Sequence, residues 1–564
     1  MDSNSFIPEN FSIENWNSIE PYFQKLMKLP LDSMEEIEYF LECKSMLETA
    51  IDEDQAWRYI HVNIDTQNEE YKKAFEFFID EIEPKVESWF NTIDRRIAES
   101  SAMLIFEKIH PIPARSLRKN IELFREENLP IYAELQKEEQ EYGTIISGIE
   151  VIIDGKKYTL QQASELLQEN DREFRARVYK DILSKRIEKA EILNELLSNM
   201  LRKRYKIAVN AGFRNFRDFQ HQNLGRFDYS VEDIERFHSA ILHEVNPIVD
   251  DIMMHRKSKL GVKNLKPWDL QVDIDGMPPL RPFKDSRILV QSAIECFNSI
   301  NVDFGSIFSD LNQNGMLDLD SRFGKAPGGF NYPLHKSNRS FIFMNATGSM
   351  NDFEVLMHEG GHAFHANYSS HLPLLDYKNV PAELAELASM SMELISIEHW
   401  DTILKDKSDL KRAKRNILED AISALQWIAL IDKFQHWLYT NPEHSNHERN
   451  LAWTSFYKEF SSSEINWEGV EEAFVYTWQR QLHIFEMPFY YIEYAFAQLG
   501  AIAIWNNYRI NPKDTIGKFI SMMKLGYSKP LPELYKVAGI EFLSNQEYIS
   551  NLMKSVREEL RKLY

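Results

Sequence analysis

Residues 358 to 362 read His-Glu-Gly-Gly-His, and no other stretch constrains the fold of this chain as tightly. Two histidines four positions apart share a face on an α-helix, one turn from each other. There both imidazoles reach a single metal ion, with Glu359 flanking the open coordination position. Such a helix carries Gly360 and Gly361 in its interior, at a cost on the order of 1 kcal/mol each relative to Ala. A helix that only filled a core would hold Ala or Leu there. The pair therefore predicts that a neighbouring helix or a substrate-binding wall approaches this backbone closely. The competing reading is a helix that breaks at the glycines and a histidine pair without metal.

Two His and one Glu at these offsets arise by chance in roughly one chain in a hundred of this length, so the surroundings decide. The preceding residues, Asn351-Asp352-Phe353-Glu354-Val355-Leu356-Met357, open with capping and acidic side chains and then turn apolar, as a helix N-terminus does. His358 then lies about two turns inside the helix.

A metal site in this chain has to be built from imidazole and carboxylate. The only cysteines are Cys43 and Cys296, too few for a thiolate cluster or a disulfide framework. The 564 residues are 43% hydrophobic, ample for a large core. With 65 basic against 87 acidic residues the net charge is −22, which disfavours nucleic acid and anionic membrane as partners. The start lacks a basic segment followed by an apolar one, and the longest apolar candidate, Tyr490 to Trp505, is interrupted by Glu493 and Gln498. The cytoplasm is the expected compartment.

Helical spacing dominates from Phe11 to about Glu141, for example over Glu70 to Ile82 and Ile131 to Tyr142. An Asp154-Gly155 turn between the alternating runs 149–153 and 156–160 predicts a β-hairpin. Helical patterns resume from about Ala163 to Ile207 and again after Leu384. Between Gly261 and Gly348 the texture changes, with Pro278, Pro279 and Pro282, the glycine-rich loop 324–329, and an apolar run, Ser340 to Asn345, expected as a strand beside the metal site. The expected class is mainly α with a small sheet near the site. Residues 1–190 form a helical N-terminal region with the hairpin and residues 191–564 a catalytic region, in one integrated fold.

Catalytic zinc takes three protein ligands and a water. His365 shares the helix face, but its Cα would lie about 10 Å along the axis from that of His358, which strains convergence. The better donor is Glu386, 24 residues after His362 on a second helical stretch that an intervening loop can bring across the metal. Glu383 and Glu393 lie on its face, and the apolar neighbours Leu384, Leu387, Ala388, Met390 and Met392 argue for buried carboxylates with a purpose.

These residues carry a resemblance. The strings at 353–365 and Ala-Glu-Leu-Ala-Ser at 385–389 resemble the thimet oligopeptidase and oligoendopeptidase F family of zinc peptidases, above all its bacterial Pz-peptidase type. Further similarity lies in Phe216 to Phe219, Leu224 to Tyr229, Pro267 to Leu270, the 324–330 loop and Ile342 to Asn345. One departure is Gly360, where many members carry Phe. The resemblance implies a two-lobed helical body around a deep channel, with one zinc ion per chain held by His358, His362 and Glu386. It implies Glu359 as the base that activates water and Glu393 as the partner of a ligand histidine. His365 is left with a role behind the ligands or toward substrate. It also implies oxyanion donors in the segment 483–494: His483, Tyr491 and Tyr494, with Tyr490 competing because register across Pro488 is open. Gly328, Gly329, Phe343 and Asn345 are expected to meet the substrate, the strand at 341–345 by β-augmentation.

The expected activity is endopeptidase cleavage of short peptides. The rivals are a dipeptidyl carboxypeptidase-like exopeptidase of the same fold and a peptide-binding protein without chemistry. Neither nucleic acid nor membrane is an expected partner, and oligomeric state is left open.

Overall fold

The computed structural model describes residues 6–8, 11–543 and 545–564. Helices make up most of the described chain, and five strands form two small sheets. The chain divides into two compact units, each gathered from three stretches. The first holds Met1–Glu122, Arg281–Leu410 and Ala497–Phe542; the second holds Leu123–Leu280, Lys411–Phe496 and Leu543–Tyr564.

In the second unit the expected hairpin is present, with β1 (Glu150–Ile153) antiparallel to β2 (Lys156–Thr159) and Ile153 opposite Lys156. Asp154 and Gly155 both adopt positive φ, 50° and 78°, the geometry of a two-residue turn that follows strand twist. Alternation sends Val151 and Ile153 inward, where they pack with Leu160, Val178, Ile182 and Trp268. Beside Trp268 the fully buried Asp269 accepts hydrogen bonds from Arg172 and Arg175 and from the Lys266 backbone N–H. The Pro-Trp-Asp-Leu string is thus a packing and ion-pair node within this unit.

In the first unit β3 (Leu317–Asp320), β4 (Phe330–Leu334) and β5 (Arg339–Ala346) form a sheet in the order β3-β5-β4. β5 runs parallel to β3 and antiparallel to β4, with Phe343 opposite Asp318 on one side and Phe330 on the other. Phe341 and Phe343 pack with Ala56 and Ile60 of the helix Met34–Ile64. The opposite face meets the helix Met350–Ser369, which carries the HEGGH segment. The glycine-rich loop is tied to this sheet by the Lys325 ammonium, buried and donating to the carbonyls of Asp318, Asp320 and Met344 and to the Asp318 carboxylate.

The HEGGH helix starts two residues earlier than the sequence pattern indicates. Ser349 is its cap, in a capping box with Asp352, and one Asp352 carboxylate oxygen accepts from the backbone N–H groups of Thr347, Gly348 and Ser349 at 2.8 to 2.9 Å. Three consecutive backbone N–H groups are thereby satisfied and the entry of the helix is fixed. Two further helices, Ser286–Ile300 and Val302–Gln313, occupy part of the stretch between Gly261 and Gly348 where the sequence texture changes; Asp285 and Asn301 cap them.

The helix does not break at its glycines. A Cβ on Gly361 would stand 2.5 Å from the Cα of Ser389 and 2.6 Å from the carbonyl oxygen of Ala388, both on the helix Ala382–Ser396. A Cβ on Gly360 would meet the Phe297 ring at 2.5 Å. That ring, from one of the two unanticipated helices, also packs edge-on to Phe364 and against Phe308. It fills the space beside position 360.

Gly361→Ala is expected to destabilise the protein by about 3 kcal/mol, because backbone rather than a mobile side chain must move. Gly143, interior to the helix Leu129–Ser147, has nothing within 4 Å of its Cβ direction, so Gly143→Ala should stabilise by about 1 kcal/mol. Thermal and chemical denaturation of the two variants checks the contrast; similar effects at both positions would contradict the packing described.

Candidate metal centre

Close approach of the two helices places three ligand-type atoms together in the first unit. His358 Nε2 and His362 Nε2 are 3.2 Å apart, and Glu386 Oε2 lies 3.4 Å from the first and 3.7 Å from the second. Ligands bonded at about 2.0–2.1 Å around a tetrahedral ion stand roughly 3.3–3.4 Å from one another. The set therefore has the spacing of a zinc corner. Among the described residues this is the one such group of histidine, cysteine and carboxylate side chains.

The supports of these atoms are also in place. Glu393 Oε1 accepts the Nδ1–H of His358 at 2.5 Å, which turns Nε2 toward the other two groups. Ser389 Oγ lies 3.1 Å from Glu386 Oε2 and from the Glu386 carbonyl oxygen. Burial opposes a charge on His358, but the hydrogen bond and charge of Glu393, with Glu386 and Glu359, raise it to about 9. His362 is pushed well down by burial and by His358. Glu359, 7% exposed, is raised to about 7, chiefly by burial and further by Glu386 and Glu393, with His358 opposing. Asn331 of β4 donates to its carbonyl oxygen at 3.4 Å.

His365 is 3% exposed, and neither ring nitrogen has a hydrogen-bond partner among the described residues; burial pushes it down to about 4. It is a neutral, enclosed ring on the same helix as His358 and His362. Asn345 donates from Nδ2 to the carbonyls of Ala326 and Gly328 at 2.8 and 2.9 Å, holding the glycine loop to the end of β5. A Cβ at Gly328 would meet nothing within 4 Å, whereas one at Gly329 would touch the Phe343 carbonyl at 3.3 Å. Phe343 itself is fully buried, stacked on Phe330 with the Lys325 ammonium over its ring.

The β-augmentation expected along 341–345 is corrected at Ile342 and Phe343, which this topology already pairs on both sides. β5 is the central strand, paired on both sides through these residues, so an added strand has only the outer edges of β3 and β4. Strand order is not contained in a local apolar run, which marks a buried strand without naming its neighbours.

His483, Tyr490, Tyr491 and Tyr494 belong to the second unit and come together there. The His483 ring lies 4.5 Å from Tyr491, 6.1 Å from Tyr494 and 6.4 Å from Tyr490, and both outer tyrosines touch Tyr494. The turn between them is held in an uncommon conformation. Phe489 has φ +68°, its N–H donates to Gln435 Oε1 at 2.8 Å, and its carbonyl accepts from Arg226. Arg226 in turn pairs with Glu493 at 2.7 Å, both side chains buried. A left-handed aromatic residue costs about 1–2 kcal/mol, so this clamp has to over-determine the turn. The clamp explains Arg226 within the Leu-Gly-Arg-Phe-Asp-Tyr string; Gln435, Asn331 and Phe297 carry no sequence signal that would single them out.

Among the described residues no helix is long and apolar enough to cross a membrane. Two family profiles match the chain: Peptidase M3 N-terminal domain over residues 6–124, and Peptidase family M3 over residues 165–283 and 294–554. An oligoendopeptidase F homolog of Borreliella burgdorferi is 22% identical over 506 residues, 86% of this chain and 80% of that protein. The plasmid-encoded oligoendopeptidase F of Lactococcus lactis subsp. cremoris is 22% identical over 71% of this chain and 66% of its own. The structure of Pz peptidase A with an inhibitor superposes with a TM-score of 0.87 at 26% identity, covering 97% of each chain. With the profile for the family spanning more than half of its length, and the two-histidine, one-glutamate corner at its core, the chain belongs to peptidase family M3.

Proposed function

We propose that this metallopeptidase is a zinc oligoendopeptidase that cuts internal bonds of short peptides, with one zinc per chain on His358, His362 and Glu386. The observation that carries the reading is the triangle of 3.2, 3.4 and 3.7 Å between the three ligand atoms, with a buried carboxyl next in sequence to the first. Oligoendopeptidase F names among the relatives support the endopeptidase and short-peptide parts. The free, buried Cys43 and Cys296 support a reducing compartment such as the cytoplasm.

Zinc, when bound, supplies Lewis-acid polarisation of the attacking water and of the scissile carbonyl. Glu359 takes the proton from that water and returns it to the leaving amine. Its raised pKa, about 7 before a cation is present, marks a carboxyl kept from solvent, where a proton passes in either direction near neutral pH. Glu393 keeps the proton of His358 on Nδ1 and so keeps Nε2 a ligand. His365 packs behind them. His483, Tyr491 and Tyr494 are proposed to donate hydrogen bonds to the oxyanion of the tetrahedral intermediate. An extended substrate is proposed to add along β4, whose Asn331 already touches Glu359, with Gly328 and Gly329, held by Asn345 at the end of β5 beyond Phe343, leaving room for its backbone.

Glu359→Gln should retain zinc and lose turnover by about 10²–10⁴-fold; a variant turning over at the normal rate would remove Glu359 from the role of base. Product mapping on peptides blocked at both ends separates the readings: internal cuts support the endopeptidase, whereas cleavage that requires a free terminus supports an exopeptidase.

Zinc binding is also expected to depend on pH with a definite sign. In the metal-free protein His358 holds a proton up to about 9, and that proton must leave before the ring accepts a metal. Affinity should therefore rise with pH and level off above about 9, and titration near pH 8 should release about one proton. Calorimetry in buffers of different ionisation enthalpy measures it; no proton release would contradict the His358–Glu393 coupling.

A further inference from the structure

His483 has a neighbour whose chemistry decides where its proton sits. The ring is half-buried on the short helix Leu482–Phe485, and its Nδ1 lies 2.7 Å from Gln481 Nε2. A glutamine amide taken alone presents either its oxygen or its nitrogen. Here the other end of the amide settles the choice, because Trp427 Nε1 lies 2.8 Å from Gln481 Oε1. An indole N–H only donates, so it selects the carbonyl oxygen and leaves the NH₂ group for the histidine. The NH₂ group also only donates, so Nδ1 has to be the acceptor. The proton of the neutral ring then resides on Nε2.

The anchor of this relay is firm. Trp427 packs edge-on to the fully buried Trp453 and to Tyr457, and the Arg480 guanidinium stacks over its ring at 4.4 Å. Burial lowers His483 to about 4, so the ring is neutral in the working range. Burial raises Tyr491, and Arg480 and Gln481 draw it back.

We infer that Trp427 and Gln481 are positioning residues that lock His483 as an Nε2–H donor, in one ring cluster with Tyr491. The inference rests on the reading above that His483 donates to the oxyanion. The opposite tautomer would turn a lone pair toward the developing negative charge and replace attraction by repulsion. Loss of one oxyanion donor costs about 10²–10³-fold in turnover, and partial loss of the lock costs a fraction of that.

The test uses the full-length, zinc-loaded enzyme with ¹⁵N-histidine, the His483 signals being assigned by their absence in His483→Ala. The expected result is a pyridine-type Nδ1 and a pyrrole-type Nε2 in the unaltered protein. In Gln481→Met the two nitrogens should become mixed and kcat should fall about tenfold or more, with KM within about threefold and zinc content unchanged. Trp427→Phe leaves Gln481 in place but frees its amide to turn, and should move both readouts in the same direction by less. This milder variant decides the matter if Gln481→Met does not fold. A proton found on Nδ1 in the unaltered enzyme overturns the inference. So does an unchanged kcat in Gln481→Met when His483→Ala is slow, a result that spares the oxyanion reading. A normal kcat in His483→Ala overturns the oxyanion reading, and the role given to the relay falls with it.

Discussion

The metal corner depends on one contact between backbones. Where the HEGGH helix passes the helix Ala382–Ser396, Gly361 leaves no room for even a methyl group against Ser389 and Ala388. Helices usually pack with axes 8–10 Å apart, set by the side chains between them. With no side chain in between at this point, Glu386 comes within 3.7 Å of both His358 and His362. The same approach lets Glu393, two turns on, reach the far nitrogen of His358. The helix-propensity penalty of Gly361 is thus offset by the geometry it permits.

The electrostatics follow from that packing. Glu359, Glu386 and Glu393 are drawn around one imidazole pair, and burial and mutual repulsion raise Glu359 and Glu386, while His358 is lifted by the carboxylates around it. A dication held at this corner would relieve the crowding of these charges. In the second unit the same logic is used without metal. Buried Arg226 and Gln435 hold both polar groups of Phe489, and Trp427 and Gln481 hold His483. Each pairing leaves the aromatic cluster one hydrogen-bonding arrangement instead of several.

Much of this was legible in the sequence because the features obey local rules. A four-residue histidine spacing requires a helix, an Asp-Gly between alternating runs requires a hairpin, and an acidic residue on an otherwise apolar helix face has to be buried with a partner. The β1–β2 hairpin and the burial of Glu386 follow from such rules, whereas the place of Glu393 beside His358 was implied only by the family resemblance. The unread parts are relations between distant segments. Two glycines announce close approach, but nothing local says that Phe297 fills one side and Ser389 the other. The run 340–345 reads as a strand, but its central place between β3 and β4 comes from long-range pairing. The helices Ser286–Ile300 and Val302–Gln313 were hidden because prolines before them and glycines after them dominated the texture of the region. Gln481 and Trp427 are ordinary residues whose meaning comes only from what each must donate or accept.

The central claim is that the two packed helices build one zinc site from His358, His362 and Glu386. Anomalous diffraction at the zinc edge from crystals of the metal-loaded protein tests it most directly. The account predicts a single strong peak per chain, about 2.0–2.2 Å from His358 Nε2, His362 Nε2 and a Glu386 carboxylate oxygen, with Glu359 outside the ligand set. A peak elsewhere, or a site ligated by Glu359 or His365 in place of Glu386, would contradict it.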